Sequence, residues 1–96
     1  MRAFVDADPN DAFARYGLAL EYRGRGDHAE AIAQLEQLRA RDPQYVALYY
    51  PLGGLYAEAA RPEDARSTYA AGIVVAQAQG DAHPAAELAE ALELVQ

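Results

Sequence analysis

The sequence predicts an all-α fold, and two observations carry that prediction. Alanine, the residue with the highest helix propensity, supplies 23 of the 96 residues. Caps, prolines and glycines divide the chain into five segments, each with apolar residues at helical spacing. The connections between these segments are about two to four residues long, so consecutive helices are expected to lie side by side and antiparallel.

The first helix is predicted over about residues 9–23. Asp8 is a typical N-cap, and Pro9 suits the first helical position, where the N–H that proline lacks would have no partner in the helix. Glycines at both ends of residues 24–26 permit the left-handed backbone that ends a helix.

The second helix is predicted to begin with a capping box. In this motif the side chains of Asp27 and Glu30 would each accept a hydrogen bond from the other's backbone N–H. The helix should stop before Asp42-Pro43, because proline disfavours helical backbone in the residue before it. Its apolar face consists of Ile32, Leu35 and Leu38.

The third helix is predicted over about residues 44–59, with a kink at Pro51. Proline removes one helical hydrogen bond and clashes with the carbonyl four residues earlier, here that of Ala47. The apolar spacing continues beyond the proline, which favours a kink rather than a break.

Two more helices complete the predicted fold. The fourth starts at Pro62, has acidic residues in its first turn, and runs to about Gln79. The fifth, over about residues 82–95, is capped by Asp81 or His83. Its apolar edge, expected to pack on the fourth helix, consists of Leu88, Leu92 and Val95.

Composition excludes several classes of function. The chain has no cysteine, so it has neither disulfides nor thiolate metal ligands. A net charge of −7 argues against binding nucleic acid, and no apolar run is long enough to cross a membrane. The chain reaches Asp6 before a signal-peptide core could form, so we expect a cytoplasmic location. All eight basic residues are arginine, which together with the alanine content indicates a GC-rich bacterial genome.

The chain repeats itself after 34 residues. Shifting the sequence by that distance aligns six identical pairs: Asp8/Asp42, Pro9/Pro43, Tyr16/Tyr50, Leu18/Leu52, Tyr22/Tyr56 and Ala31/Ala65. A helical hairpin repeated at this period resembles the tetratricopeptide repeat family. The matching positions include Leu18-Ala19-x2-Tyr22 and Leu52-Gly53-x2-Tyr56, while the family tryptophan is replaced by Arg15 and Tyr49.

The resemblance implies a single domain over residues 1–96 that forms a short right-handed α-solenoid. Repeat one spans about 9–42, repeat two about 43–79, and a capping helix about 82–95. Small residues are expected where paired helices cross: Ala19, Gly53, Ala31 and Ala65.

The resemblance also implies a binding groove on the concave surface formed by the first helix of each repeat. The side chains predicted to form it are Phe13, Tyr16, Leu20, Arg23, Tyr50, Gly54, Ala57 and Glu90. His83 and Ala86 are expected beside the third helix in the same groove. The alternative for the aromatic residues is ordinary packing between neighbouring first helices.

We therefore expect a non-catalytic module that binds a protein or peptide segment. The partner is expected to be neutral or basic with apolar anchors, because of the negative charge. No cofactor, metal, nucleic acid or membrane is expected. Chaperone-tail members of the family hold a C-terminal carboxylate with a clamp of lysine, asparagine and arginine. This chain has no lysine and offers only Arg23 at such a position, so that ligand is not expected.

Two alternatives to hetero-partner binding stay open. The first is a homo-oligomerisation module, in which Phe4 and Val5 at the N-terminal end support a weak homodimer. The second is that the chain is a fragment of a longer repeat array. Catalysis is not expected, because Ser67 and the histidines His28 and His83 form no recognisable catalytic pattern.

Overall fold

The structure, a computed structural model, describes residues 11–96. Its helices are α1 (Ala12–Gly24), α2 (His28–Arg41), α3 (Tyr49–Glu58), α4 (Pro62–Ala78) and α5 (Ala82–Leu94), with a 3₁₀ turn (Val46–Leu48) before α3. Residues 11–96 contain no β-strand, and the predicted all-α class is confirmed. The chain divides into two compact units: the first ends at Tyr45 and contains α1 and α2, and the second is Val46–Gln96.

The prediction that the first helix begins at Pro9 is wrong. α1 begins at Ala12, and Asp11 is its N-cap, with a side-chain oxygen that accepts a hydrogen bond from the N–H of Ala14 at 3.1 Å. Asp11 and Asp8 have the same capping chemistry, so residue type alone does not choose between them. Asp8, Pro9 and the N-terminal residues of the expected homodimer contact lie outside the described residues.

The turns after α1, α3 and α4 have the same hydrogen-bonding pattern. In each, an N–H donates to the carbonyl five residues earlier: Asp27 to Tyr22, Arg61 to Tyr56 and Asp81 to Ala76, at 2.8–2.9 Å. The residue before each donor has a positive φ, which is 78° at Gly26, 60° at Ala60 and 73° at Gly80. The turn after α3 therefore holds an alanine in a conformation that favours glycine.

These turns explain why the predicted capping box does not form. Asp27 stands at the N-cap of α2, but its side chain makes no cap hydrogen bond. Its backbone N–H donates to Tyr22 at 2.9 Å and so is not available to Glu30, as the box would require. Asp81 is the N-cap of α5, also without a side-chain bond, and His83 lies within that helix.

The predicted kink at Pro51 is also wrong. The α-helix begins at Tyr49, so Pro51 is its third residue, and the segment before it is the 3₁₀ turn Val46–Leu48. Backbone N–H groups in the first turn of a helix have no partner within it, so the missing N–H of proline removes nothing there. The proline marks the start of α3.

In the first unit, α1 packs on α2. Ala19 and Leu35 are both fully buried, in agreement with a small residue at the crossing of the two helices. Arg15 stands where the family pattern has tryptophan, and it is buried as well. Its Nη1 donates hydrogen bonds to Oε1 of Gln34 and of Gln37, both at 2.9 Å. The unit therefore fills this position with a polar side chain whose hydrogen bonds are made internally.

In the second unit, glycines on α3 and α4 let large side chains approach the backbone. A Cβ on Gly53 would overlap the ring of Tyr69, so this ring lies directly on α3. A Cβ on Gly72 would lie 2.6 Å from Cβ of Tyr49 and 2.9 Å from Cδ1 of Leu88. Gly72 therefore receives one side chain from α3 and one from α5.

α5 packs on α4, as its apolar edge predicted. Leu88 is fully buried, whereas Leu92 and Val95 are partly exposed. Nη1 of Arg66 on α4 donates a hydrogen bond to the carbonyl of Val95 at 3.0 Å. The helix is thus held by its buried side chains, Leu88 and Ala91, and by a hydrogen bond at its C-terminal end.

Candidate functional site

The second unit has a cleft between α3 and α5, which we call the α3–α5 cleft. Its volume is about 270 Å³. It is lined by Tyr50 from α3 and by His83, Ala86, Glu87, Glu90, Ala91 and Leu94 from α5. The cleft therefore combines an aromatic ring, two carboxylates and an apolar side chain.

The start of α3 determines where Tyr50 stands. Tyr49 is buried against Gly72, and Tyr50, one residue further along the helix, is 49% exposed. The ring centroids of Tyr50 and Tyr69 are 6.3 Å apart, with the planes tilted by 55°. Since Tyr69 is itself buried against Gly53, it supports one side of the Tyr50 ring and leaves the rest exposed.

The spacing of residues on α5 places the other wall. His83, Glu87, Glu90 and Leu94 follow one another at intervals of three or four residues, so they form one stripe along the helix. Leu88 and Ala91 are buried and attach the helix to the unit. Leu94 is 83% exposed and lines the same cleft as the exposed ring of Tyr50.

The electrostatic potential of this wall is negative. Glu87 lies 3.6 Å from Nε2 of His83, a pairing that is ionic only when the histidine is protonated. Within residues 11–96, the carboxylate of Glu90 forms no ion pair and accepts no hydrogen bond. The arginines of the second unit are engaged elsewhere: Arg61 donates to Asp64 at 2.8 Å, and Arg66 donates to Val95.

The structure brings together part of the predicted groove. Tyr50 and Glu90 line one cleft, together with the expected neighbours His83 and Ala86. Gly54 and Ala57 do not line it; Gly54 lies beside the hydroxyl of Tyr69, where an added Cβ would be 3.7 Å from Oη.

Three residues that line the cleft were not among the predicted groove residues: Glu87, Ala91 and Leu94. Glu87 and Leu94 lie on the same stripe of α5 as Glu90, so the helical spacing could have identified them.

The predicted groove residues of the first unit are at least partly accessible. Phe13 is 75% exposed, while Leu20 and Arg23 are half-buried. Tyr16 is half-buried, with its ring centroid 5.5 Å from that of Tyr45. Burial raises the pKa of Tyr16, and the charge of Arg23 partly opposes that rise. A role of these residues in binding stays a prediction.

Tyr45 has its pKa raised as well. Loss of hydration on burial is the main cause, and the charges of Tyr16, Asp11 and Asp42 add to it. Both phenols are therefore kept neutral further into the alkaline range than a free tyrosine.

In residues 11–96, no group of three or more histidine, aspartate or glutamate side chains is arranged to hold a metal ion. None of the helices between residues 11 and 96 has the length and apolar character needed to span a bilayer.

Comparison with known proteins identifies the family. A family model described as tetratricopeptide repeat matches residues 22–85. The chain is similar to the solution NMR structure of a tetratricopeptide repeat domain protein from Salinibacter ruber, at 42% sequence identity and a TM-score of 0.88. That match covers 93% of this chain and 90% of the other.

A crystal structure of a tetratricopeptide repeat domain protein from Salinibacter ruber is similar at 41% identity and a TM-score of 0.85, over 88% of this chain and 96% of the other. A search of curated proteins found no significant match. The family model covers more than half of the chain, and the two structures share its fold over most of their length. The chain belongs to the tetratricopeptide repeat family.

Proposed function

We propose that this chain is a non-catalytic protein-binding module and that the α3–α5 cleft is part of its contact surface. Tetratricopeptide repeats generally mediate protein–protein interaction. The observation that carries the proposal is the exposed ring of Tyr50, which stands in a concave cleft and is supported on one side by Tyr69.

The exposure of this ring favours a binding role over a purely structural one. Tyrosine anchors are enriched among the side chains that contribute most to binding energy at protein interfaces. Leu94 adds a second exposed apolar side chain to the same cleft. A partner segment that covered both would remove apolar surface from water, which is the main favourable term in association.

The partner we propose is a protein or peptide segment with apolar anchors and a neutral or basic character. The carboxylates of Glu87 and Glu90 support this choice, because they would repel an acidic segment. We propose a cytoplasmic location for the chain.

Display selection of peptides against the folded protein tests the proposal. The selected peptides should bind the Tyr50→Ala variant more weakly by about 1–3 kcal/mol, the usual range for an aromatic anchor at an interface. Val74→Ala is the matched control, because Val74 is 66% exposed on α4 and does not line the cleft. Circular dichroism should show unchanged helicity in both variants. Equal losses in the two variants would reject the cleft as the contact surface.

The first unit supplies a second test of the predicted groove. Tyr16→Ala combined with Tyr50→Ala should weaken binding beyond Tyr50→Ala alone if the aromatic residues of both units contribute. Since Tyr16 also packs on Tyr45, the stability of the double variant must be measured in parallel. A double variant that binds as well as Tyr50→Ala would remove Tyr16 from the proposed surface.

The weak homodimer is tested independently of the cleft. It depends on Phe4 and Val5, and sedimentation velocity at rising protein concentration measures it directly. A monomer throughout the concentration range would contradict it.

A further inference from the structure

We infer that the α3–α5 cleft is a subsite for one arginine side chain of an extended partner segment, with an apolar residue two positions away in the segment resting on Leu94. This inference depends on the proposed function, since it takes the cleft to be a contact surface. It adds the identity and the spacing of the two side chains that the cleft would recognise.

The distribution of charge favours a basic occupant. All eight arginines precede residue 67, and the last 30 residues contain no basic residue except His83. The same 30 residues contain the acidic residues Asp81, Glu87, Glu90 and Glu93. With Arg61 and Arg66 bonded to Asp64 and Val95, the described part of this unit places no arginine beside Glu90. A cation from outside the chain would therefore find a carboxylate that has no competing internal partner.

The aromatic ring and the size of the cleft favour a single guanidinium group. A planar guanidinium can stack on an exposed tyrosine ring and bond to a carboxylate at its edge in the same pose. Small-molecule sites usually enclose about 300–1,000 Å³. At about 270 Å³, the cleft lies just below that range and has room for one long side chain.

The helical spacing of the cleft defines the second position. Glu90 and Leu94 are four residues apart on α5, which is a rise of about 6 Å. Two residues of an extended chain span about 6.6 Å and direct their side chains to the same face. If an arginine of the partner segment binds Glu90, the segment residue two positions away lies at Leu94. The segment residue between them faces away from the cleft.

Four blocked pentapeptides test this assignment by NMR titration of isotope-labelled protein. The first contains arginine and leucine separated by one alanine, with alanine at both ends. The second replaces arginine by citrulline, which keeps the shape and removes the charge; the third replaces it by lysine. The fourth places arginine and leucine next to each other, so that they face opposite sides.

The arginine peptide should shift the amide signals of Tyr50 and of residues 86–94. It should bind about tenfold more tightly than the citrulline peptide, because an ion pair and a cation–π contact are lost together. The lysine and adjacent-pair peptides should each bind several-fold more weakly than the first. The advantage of arginine over citrulline should shrink as salt is added.

Matched variants connect these differences to the residues named. Glu90→Gln should abolish most of the discrimination between arginine and citrulline. Glu93→Gln makes the same charge change on the same helix outside the cleft and should leave it intact. Leu94→Ala should remove the advantage of the spaced over the adjacent pair, whereas Val74→Ala should not.

The outcomes separate this inference from the proposed function. If the arginine and citrulline peptides bind equally, or neither shifts the cleft signals, the arginine subsite is refuted. Equal binding of lysine would refute the choice of arginine. The proposed function survives those results if display selection has yielded peptides that depend on Tyr50. If no such peptides are found, both proposals fail.

Discussion

The hairpins α1–α2 and α3–α4 differ in the size of the side chains at equivalent positions. The first helix has the smaller residue in α3, and the second helix has the larger residue in α4. Ala19 on α1 stands where Gly53 stands on α3, and Leu35 on α2 stands where Tyr69 stands on α4, each pair 34 residues apart. In the first hairpin Ala19 and Leu35 are both fully buried, whereas in the second the ring of Tyr69 lies on the backbone of Gly53. In both, the helices cross with a fully or nearly fully buried large side chain.

A second pair of positions differs without such an exchange. Tyr49 on α3 packs on Gly72 of α4, while the equivalent residues of the first hairpin are Arg15 and Leu38. The first helix has a large side chain at this position in both hairpins, whereas the leucine of α2 is replaced by a glycine on α4, and Leu88 of α5 fills the space. The consequence is functional as well, because the glycine at 72 leaves space for Leu88 and so positions α5 beside Tyr50.

Breaking the contact of α5 should have the largest effect. Leu88→Ala removes a fully buried side chain beside Gly72, and we expect a loss of about 3 kcal/mol in the free energy of unfolding. Urea denaturation measures it. Leu94→Ala, an exposed leucine on the same helix, should change stability by less than about 0.5 kcal/mol. Equal effects of the two changes would mean that Leu88 does not hold α5 in place.

Converting one hairpin into the other tests the size exchange directly. Gly53→Ala should destabilise by about 2 kcal/mol, because the new Cβ overlaps the ring of Tyr69. Tyr69→Leu alone should cost a similar amount through the cavity that it leaves. The double variant has alanine and leucine at these positions, as the first hairpin has at Ala19 and Leu35. It should recover most of the lost stability. A double-mutant cycle in urea measures the coupling, and purely additive effects would contradict the exchange.

The buried Arg15 is a further difference between the hairpins, because Tyr49 occupies the equivalent position in the second. Arg15→Ala should lower stability by about 2 kcal/mol, because it removes the packing of a buried side chain together with its hydrogen bonds to Gln34 and Gln37. Arg25→Ala is the control, since the contacts of the exposed Arg25 side chain lie at the surface: 3.9 Å to Glu21 and 5.1 Å to the centroid of the Tyr22 ring. Thermal unfolding of both variants measures the change in melting temperature. Similar melting temperatures would show that Arg15 contributes no more than a surface residue.

The smallest expected effect concerns the turns. Gly26 and Ala60 are equivalent and both have positive φ, so Ala60→Gly should relieve strain and stabilise by about 0.5–1 kcal/mol. Gly26→Ala should destabilise by a similar amount, because it introduces the strain that Ala60 carries. Urea midpoints of the pair measure the two changes. Changes of the same sign would contradict the shared turn geometry.

The sequence predicted the number of helices and where they end better than the residues at which they begin. Helix ends at residues 24–26 and 41–42 follow from glycine and proline, whose backbone limits are intrinsic to the residue. Helix starts depend on which of several chemically equal caps is used, as with Asp8 and Asp11. The start at Tyr49 and the missing capping box at Asp27 were decided by the preceding turn.

Some residues of the candidate site could be predicted from the sequence, and others depend on the packing of the helices. The 34-residue repeat identified Tyr50 as a residue on the inner face of a first helix, and the spacing of α5 placed Glu90 opposite it. Glu87 and Leu94 share the stripe of Glu90 on α5, but their place beside Tyr50 depends on the packing of α5 and on the space that Gly72 leaves for Leu88.

By itself, the sequence determined the all-α class, the repeat family and the order of the helices, because propensity, caps and periodicity act over a few neighbouring residues. Only the tertiary structure decided which large side chain fills which gap. That choice depends on residues far apart in the chain, such as Gly53 with Tyr69 and Gly72 with Leu88. Close packing couples them in space, and no local pattern records the coupling.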